Sequence, residues 1–446
     1  MSSRLPPVAA RWPVVGNLPA YLRDPLGFLC STRDRYGDVV GVSLGPLQAV
    51  LVSHPDLVED ILVTRNKCWQ KDRFLQSLRP LLGDGLLSSE GEFWRRQRRL
   101  AQPAFHRDRI ASYADIMVES SLSSLARWAD GEVRDVHQDM MHLTLDIVAK
   151  TLFGADVGDY SEEVGEALDT LLRVAVDPTY LILPFLREWK TPAVRRFDDA
   201  VAKLDAVIYG IIDKRRKAGP AETSDLLSML LHAVDEDGSK MSDKQLRDEC
   251  MTLFLAGHET TALALSWTWL LLTKNPKAQQ RLTEELDRVL GDRPPTHADI
   301  PELRFTRQVI NESLRVFPPA WSTGREALED LELGGFHIAK GTQAWFCPWV
   351  IQQDPRFFVR PESFRPERWD GELEKTLPRY AYFPFGGGPR LCIGQAFALM
   401  EAVLLLATLA SRFEVHVQGT PRAEPSVTLR PKNGLKAKLI RRVVKS

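Results

Sequence analysis

The chain has 446 residues, 44% of them hydrophobic and 26% charged, with a formal charge of −1. That length suffices for two or three domains, yet no Gly/Ser linker, repeat or low-complexity stretch divides it, so one domain over 1–446 is expected. The near-neutral charge gives no reason to expect nucleic acid. The five scattered cysteines (Cys30, Cys68, Cys250, Cys347, Cys392) argue for a reducing compartment and against a disulfide framework.

The opening M-S-S-R-L-P-P has no apolar signal region, and no long uncharged run follows, so no membrane anchor is expected. A proline-rich entry covers residues 5–17. Residues 39–45 and 49–52 read as a strand pair turning at Pro46, within a β-rich part over about 36–55. Helical periodicity then covers roughly 94–130, 137–153, 162–175, 194–216 and 225–235, with a polar loop at 215–224.

The segment E-F-W-R-R-Q-R-R-L puts Trp94 and Arg98 four residues apart, on one helix face. Arg95, Arg96 and Arg99 turn away from that face. They form either a solvated basic patch or a docking surface for an acidic partner.

A long helix is expected over about 243–274. Ser242 with Gln245 reads as a capping box, and Pro276 follows the far end. At 1.5 Å per residue it spans roughly 45 Å, enough to cross a domain. Its small Ala256 and Gly257 let a flat group approach the backbone. Glu259 and Thr260 form an acid–alcohol pair, and a hydroxyl backed by a carboxylate can relay protons. The same threonine can also simply bond its own helical turn. His258 receives no role.

Helices over 276–290 and 303–316 come next. The second carries Glu312-x-x-Arg315, a spacing that is commonly a weak surface ion pair. Arg325 lies just beyond it, in a strand region over about 319–346. A proline- and glycine-rich coil follows over 354–391 and contains Arg368 in F-R-P-E-R-W. It ends in F-G-G-G-P-R-L-C-I-G, residues 385–394. Cys392 there precedes an apolar helical run over 395–413, and a helix N-terminus stabilises a thiolate. Gly386, Gly387, Gly388 and Gly394 leave no Cβ in the way of a flat ligand over the sulfur, and Arg390 is within reach of a carboxylate on it. A last strand is expected over 426–445.

The spacing F-x-x-G-x-R-x-C-x-G closely resembles the haem-thiolate loop of the cytochrome P450 superfamily. The segment 256–260 matches that family's A-G-x-[DE]-T pattern, and E-x-x-R with a later arginine occurs in the family's order. The resemblance implies a mainly α fold with a small β-rich region and a long central helix over the haem. It implies haem b (iron protoporphyrin IX) with Cys392 as the axial iron ligand, whose electron push favours O–O cleavage. By the same resemblance Trp94, Arg98, Arg325 and Arg390 hold the propionates, and Ala256, Phe385, Gly386 and Gly394 lie against the cofactor. Glu259 and Thr260 handle protons. Glu312, Arg315 and Arg368 form a buried structural lock.

The substrate pocket is expected to include Phe74, Leu78, Leu82, Leu86, Leu87, Leu183, Trp321 and Val427. These are apolar, with Arg73 and Arg79 as candidates for a carboxylate contact. The implied activity is insertion of one oxygen atom from O2 into a hydrophobic small molecule: a fatty acid, a terpenoid or a polyketide-like compound. No flavin or iron–sulfur segment is visible, so electrons are expected from a separate ferredoxin or flavodoxin with its NAD(P)H reductase. The expected protein is a cytoplasmic monomer of bacterial type. The alternatives are a peroxide-driven peroxygenase on the same fold, against which Glu259-Thr260 speaks, and a non-enzymatic haem sensor.

Overall fold

The structure is a computed structural model. It describes residues 4–442 except 155–163, 166, 169, 172–173, 175–176, 178–183, 219–224, 236–237 and 372. The helices that position the site are, in chain order, α1 (Leu18–Arg23), α2 (Pro25–Tyr36), α3 (Gly91–Ala101), α4 (Ala114–Leu125), α5 (Val136–Phe153), α6 (Pro192–Ala218), α7 (Leu226–His232), α8 (Asp243–Lys274), α9 (Pro276–Leu290), α10 (Arg304–Val316) and α11 (Gln395–Ala410). Short helical turns lie between them.

The strands are β1 (Val39–Leu44), β2 (Leu47–Val52), β3 (Trp69–Lys71), β4 (Val133–Asp135), β5 (Thr323–Ala327), β6 (Leu331–Leu333), β7 (Phe336–Ile338), β8 (Gln343–Phe346), β9 (Phe413–Val417), β10 (Ala423–Pro425), β11 (Leu429–Pro431) and β12 (Lys436–Arg441). A five-stranded sheet runs in the order β1-β2-β8-β5-β3, and a three-stranded one in the order β4-β12-β9; β6–β7 and β10–β11 are separate pairs. In the large sheet β2 and β8 are parallel, and β3 pairs antiparallel with β5 so that Lys71 stands opposite Arg325. This mainly helical architecture with small sheets is the one expected from the motifs.

Helix α8 forms as its ends dictate. The Ser242 hydroxyl accepts from Gln245 N–H at 3.2 Å, and the Gln245 side chain accepts from Ser242 N–H at 2.7 Å. Its 32 residues span about 48 Å. Trp267 and Trp269 are wholly buried, so this end of the helix is core rather than surface. Thr144 of α5 donates to the His258 carbonyl at 2.9 Å, and a Cβ on Gly257 would stand 3.2 Å from Val148 of α5. The glycine thus allows α5 to pack closely where the A-G-x-E-T segment lies. Among the described residues no helix is long and apolar enough to cross a membrane.

Behind the cysteine loop, Glu312 and Arg315 of α10 are both wholly buried. Arg315 Nε and Nη2 donate to the two Glu312 oxygens at 2.9 and 2.8 Å. Arg368 Nε and Trp369 Nε1 donate to the same carboxylate at 3.1 and 2.9 Å. The remaining Arg315 donors reach the carbonyls of Gln352, Pro361 and Ser363. Every hydrogen-bonding group is occupied, which is the condition under which a buried ion pair is tolerated.

Several boundaries differ from the expectations. The helix over 94–130 is broken: α3 ends at Ala101, Pro103 enters a 3-10 turn, and a short helix over Arg107–Ser112 precedes α4. Proline has no N–H for the helical ladder, and His106 is extended (φ −70°, ψ 148°). The loop expected from 215 begins later, because α6 runs to Ala218. The helix ending near 413 stops at Ala410, and Phe413–Val417 is the strand β9. Strands β3, β4 and β10 had no counterpart in the expectations. Half of the expected helix over 162–175 is described, and those residues are helical; Leu183 lies outside the described residues.

Candidate active site

Cys392 sits where the coil delivers the chain into α11. Its N–H donates to the Phe385 carbonyl at 3.0 Å, which closes the loop 385–392. Gly388 (φ +62°) is required at its position: a Cβ there would lie 2.0 Å from the Leu62 carbonyl oxygen. The Gly388 N–H donates to the Tyr380 hydroxyl at 3.2 Å. The loop is therefore fixed from both sides before any ligand is considered. The sulfur is deep in the molecule but opens into a cavity, so the residue is exposed to that cavity rather than to the outer surface. Burial pushes the thiol's pKa up, while the Gly394 N–H and the Arg98 guanidinium pull it back.

The cavity has a volume of about 1590 Å³. It is lined by every described residue expected at cofactor or substrate: Trp94, Arg98, Ala256, Arg325, Phe385, Gly386, Arg390, Cys392 and Gly394, with Phe74, Leu78, Leu82, Leu86, Leu87, Trp321 and Val427. Glu259 and Thr260 also reach it. Arg73 also lines the cavity and pairs with Glu326, while Arg79 does not line it and pairs with Asp84, each at 3.3 Å.

One wall is cationic. Arg98 Nη1 donates to the Leu391 carbonyl at 2.9 Å, next to Cys392. Arg390 stacks 3.8 Å over the Trp94 ring, bonds the Ser89 carbonyl at 2.9 Å and pairs with Glu90. Arg325 is buried and donates to the Gly324 carbonyl at 2.7 Å. Lys71 completes the group, held opposite Arg325 by strand register and buried to 6% exposure. Burial first, then Arg325 and Arg390, holds the Lys71 ammonium well below the usual lysine range. Burial likewise lowers Arg325 and Arg98, and brings Arg390 down to about 10. Four cations thus share this wall with the carboxylates of Asp72 and Glu90. Sequence reasoning missed Lys71 and Glu90. Lys71 lies in a three-residue strand with no periodic signal, and only its pairing with β5 brings it to Arg325.

On the opposite side, the expected acid–alcohol pair is arranged differently from the expectation. Glu259 Oε1 accepts from Thr428 Oγ1 and Arg430 Nε, both at 2.6 Å. Thr260 Oγ1 donates to the Ala256 carbonyl at 2.7 Å, in its own helical turn. Successive helix residues diverge by about 100°, so the carboxylate turns to β11 while the hydroxyl borders the cavity. Arg430 was not anticipated, because nothing in the sequence pairs it with α8.

Arg95, Arg96 and Arg99 do face away from Trp94 and Arg98, but all three already have acidic partners. Arg96 Nε and Arg99 Nη2 bond Asp235 at 2.7 and 2.6 Å, and Arg96 also reaches Ser239. Arg95 pairs with Glu92. The patch therefore doubles as an anchor for the segment after α7.

Residues 6–439 match the family profile Cytochrome P450. The chain is 40% identical over 429 residues to cyclooctatin synthase of Streptomyces melanosporofaciens, covering 94% of this chain and 92% of the relative. It is 38% identical to cyclooctat-9-en-7-ol 5-monooxygenase of the same organism, covering 92% and 89%. It is 35% identical to pentalenene oxygenase of Streptomyces avermitilis, covering 94% and 92%.

Proposed function

We infer the function from one premise: this chain belongs to the cytochrome P450 family and is a haem-thiolate monooxygenase. Within that activity we propose that the substrate is a cyclic terpenoid. The observation that carries this reading is the large apolar cavity in a chain 35% to 40% identical to pentalenene oxygenase and cyclooctatin synthase. Phe74, Leu78, Leu82, Leu86, Leu87 and Val427 offer apolar surface and few directional partners. Such a wall suits a rigid hydrocarbon frame better than a ligand needing a buried charge partner.

The residues present fit a haem. A desolvated wall holding Lys71, Arg98, Arg325 and Arg390 is under-neutralised by Asp72 and Glu90, and the two propionates of haem supply the missing negative charge. Cys392 would ligate the iron, and Ala256 and Gly257 leave room for the flat ring system against α8. When bound, the haem supplies activation of O2 and delivery of one oxygen atom to a C–H bond or alkene.

The protein's own side chains do the rest. The thiol of Cys392 gives up its proton with help from the Gly394 N–H and Arg98. Thr260 releases its intrahelical bond to Ala256 and presents its hydroxyl to the cavity as a proton donor. Glu259, held by Arg430, keeps that turn of α8 in register with β11 and stands as the next carboxylate in the proton path. The leucines exclude bulk water. Electrons come from a separate ferredoxin or flavodoxin with its reductase, approaching near exposed Arg95 and Arg99.

The test is a binding screen of the haem-loaded protein against cyclic terpenes, fatty acids and macrolides, read by the spin-state shift as water leaves the iron. Terpenes are expected to shift the spectrum at concentrations where fatty acids and macrolides do not. A shift with fatty acids alone would overturn the substrate assignment and leave the monooxygenase standing.

A further inference from the structure

The cavity wall that carries Leu86 and Leu87 is a loop over residues 83–88, between the short helix Arg79–Leu82 and α3. Turn bonds close it locally: Gly85 N–H donates to the Leu82 carbonyl at 3.3 Å, and Ser88 N–H to the Gly85 carbonyl at 3.1 Å. Two of its amides point instead at α8. Asp84 N–H donates to Asp248 Oδ2 at 2.9 Å, and Leu86 N–H donates to Glu249 Oε2 at 3.1 Å. The approach is close enough to need glycine twice. A Cβ on Gly83 (φ +57°) would collide with the Asp248 carboxylate, and one on Gly85 with the Thr252 hydroxyl.

The two carboxylates are not equivalent. Asp248 is held by Lys244 at 2.7 Å and by Arg247 at 3.1 Å. Arg247 in turn donates to the Leu81 carbonyl at 2.9 Å and to Asp205 of α6 at 2.6 Å. Asp248 therefore belongs to a charged network that joins three segments of the fold. Glu249 is wholly buried, and among the described residues it pairs with no cation and its Oε1 has no hydrogen-bond partner. Burial raises its pKa to about 8, so the carboxyl holds a proton at neutral pH. An apolar side chain would fill this place at less cost in desolvation. What the acid adds is an acceptor for Leu86.

Glu249, Thr252 and Ala256 follow at steps of three and four, so they share one face of α8. Thr252 and Ala256 line the cavity, whereas Glu249 does not and reaches the loop from behind. We propose that Glu249 is a positioning residue for the oxidation: its bond to the Leu86 N–H fixes the Leu86–Leu87 wall and thereby which carbon of the substrate is presented to the cysteine side of the cavity. The effect on products rests on the terpenoid monooxygenase reading. The bond and its effect on the loop need no substrate.

The test compares Glu249→Leu and Glu249→Gln with the parent, all haem-loaded. Glutamine keeps the acceptor and leucine does not. Hydrogen exchange at the Leu86 amide, read by fragment-resolved mass spectrometry, should rise about fivefold in Glu249→Leu and stay near the parent rate in Glu249→Gln. With a surrogate redox chain and a cyclic terpene that shifts the spin state, the share of minor oxidation products should rise about fivefold in Glu249→Leu and not in Glu249→Gln. An unprotected Leu86 amide in the parent would overturn the proposal without any variant, which covers the case in which Glu249→Leu does not fold. Unchanged exchange or unchanged product ratios in Glu249→Leu would also overturn it, as would Glu249→Gln behaving like Glu249→Leu. If no terpene shifts the spin state, the substrate reading fails, and the exchange measurement still decides whether Glu249 holds the loop.

Discussion

Arg430 of β11 holds Glu259 of α8, with Nε 2.6 Å from Oε1, and so ties the central helix to the C-terminal strands at the level of the cavity. The Glu259 side chain is 4% exposed and that of Arg430 15%. Removing one partner of such a pair leaves a buried charge, which costs roughly 3 kcal/mol. Arg430→Met should lower unfolding stability by about that amount, whereas Thr428→Val should cost only about 1 kcal/mol. Denaturant unfolding of both variants checks the order; equal losses would show that the ion pair is not the main constraint on Glu259.

Cys392→Ala should abolish the thiolate-type spectrum of the reduced carbon monoxide adduct, together with monooxygenase activity. The loop should survive, because its closure uses the Cys392 N–H and the Tyr380 hydroxyl rather than the thiol. A variant that retains the spectrum would move the ligand to another residue.

Thr260→Ala should bind haem and substrate normally but form less product per NAD(P)H, with the difference appearing as peroxide. The hydroxyl borders the cavity and is bonded only within its own turn, so its removal disturbs little packing. Product and peroxide yields with a surrogate redox chain decide the point. Unchanged coupling would exclude Thr260 from the proton path.

The arginines of α3 are expected to separate into two kinds. Arg96→Glu places a negative charge against Asp235, which is 6% exposed, and should destabilise the fold by roughly 3 kcal/mol. Arg95→Glu, at the exposed surface, should leave stability near normal yet slow reduction by an acidic ferredoxin, most strongly at low ionic strength. Stopped-flow reduction across a salt series, beside thermal unfolding, measures both. Equal reduction rates for Arg95→Glu and the parent at low salt would exclude a docking role for that side chain.

Glu401 of α11 is wholly buried, and burial raises its pKa to about 8, tempered by Thr261. A folded-state pKa above the unfolded value means that the native protein binds the extra proton between the two. Stability should therefore fall as pH rises from about 4.5 to about 8, by roughly 1 kcal/mol per pH unit for this group. Glu401→Gln should remove that part of the decline. Glu249, also raised to about 8 by burial, should retain its own share. Unfolding free energies measured across this range check the slope, and an unchanged slope in the variant would mean that Glu401 is not the group responsible.

Much of the site was legible because chemistry with strict local geometry leaves local spacing. Cys392 needs glycines within a few residues, Trp94 and Arg98 need a four-residue step, and Glu312 needs Arg315 one helical turn away. The capping box at Ser242 and the strand pair turning at Pro46 are likewise local, and both formed where the residues indicated. Helix ends were less legible. Pro103 broke a periodic run, and α11 stopped three residues before Phe413, because the strand pairing of β9 with β12 took those residues.

The sequence by itself determined the family, the cysteine loop, the long helix and the reaction class, since each depends on residues close together in the chain. Only the tertiary structure decided which charges meet. Lys71 joins Arg325 through the register of β3 on β5, Glu259 turns from Thr260 to Arg430, and Asp235 captures Arg96 and Arg99. Those pairings join residues from 136 to 254 positions apart by numbering. Coulomb energy depends on distance and burial, and neither is a function of separation along the chain.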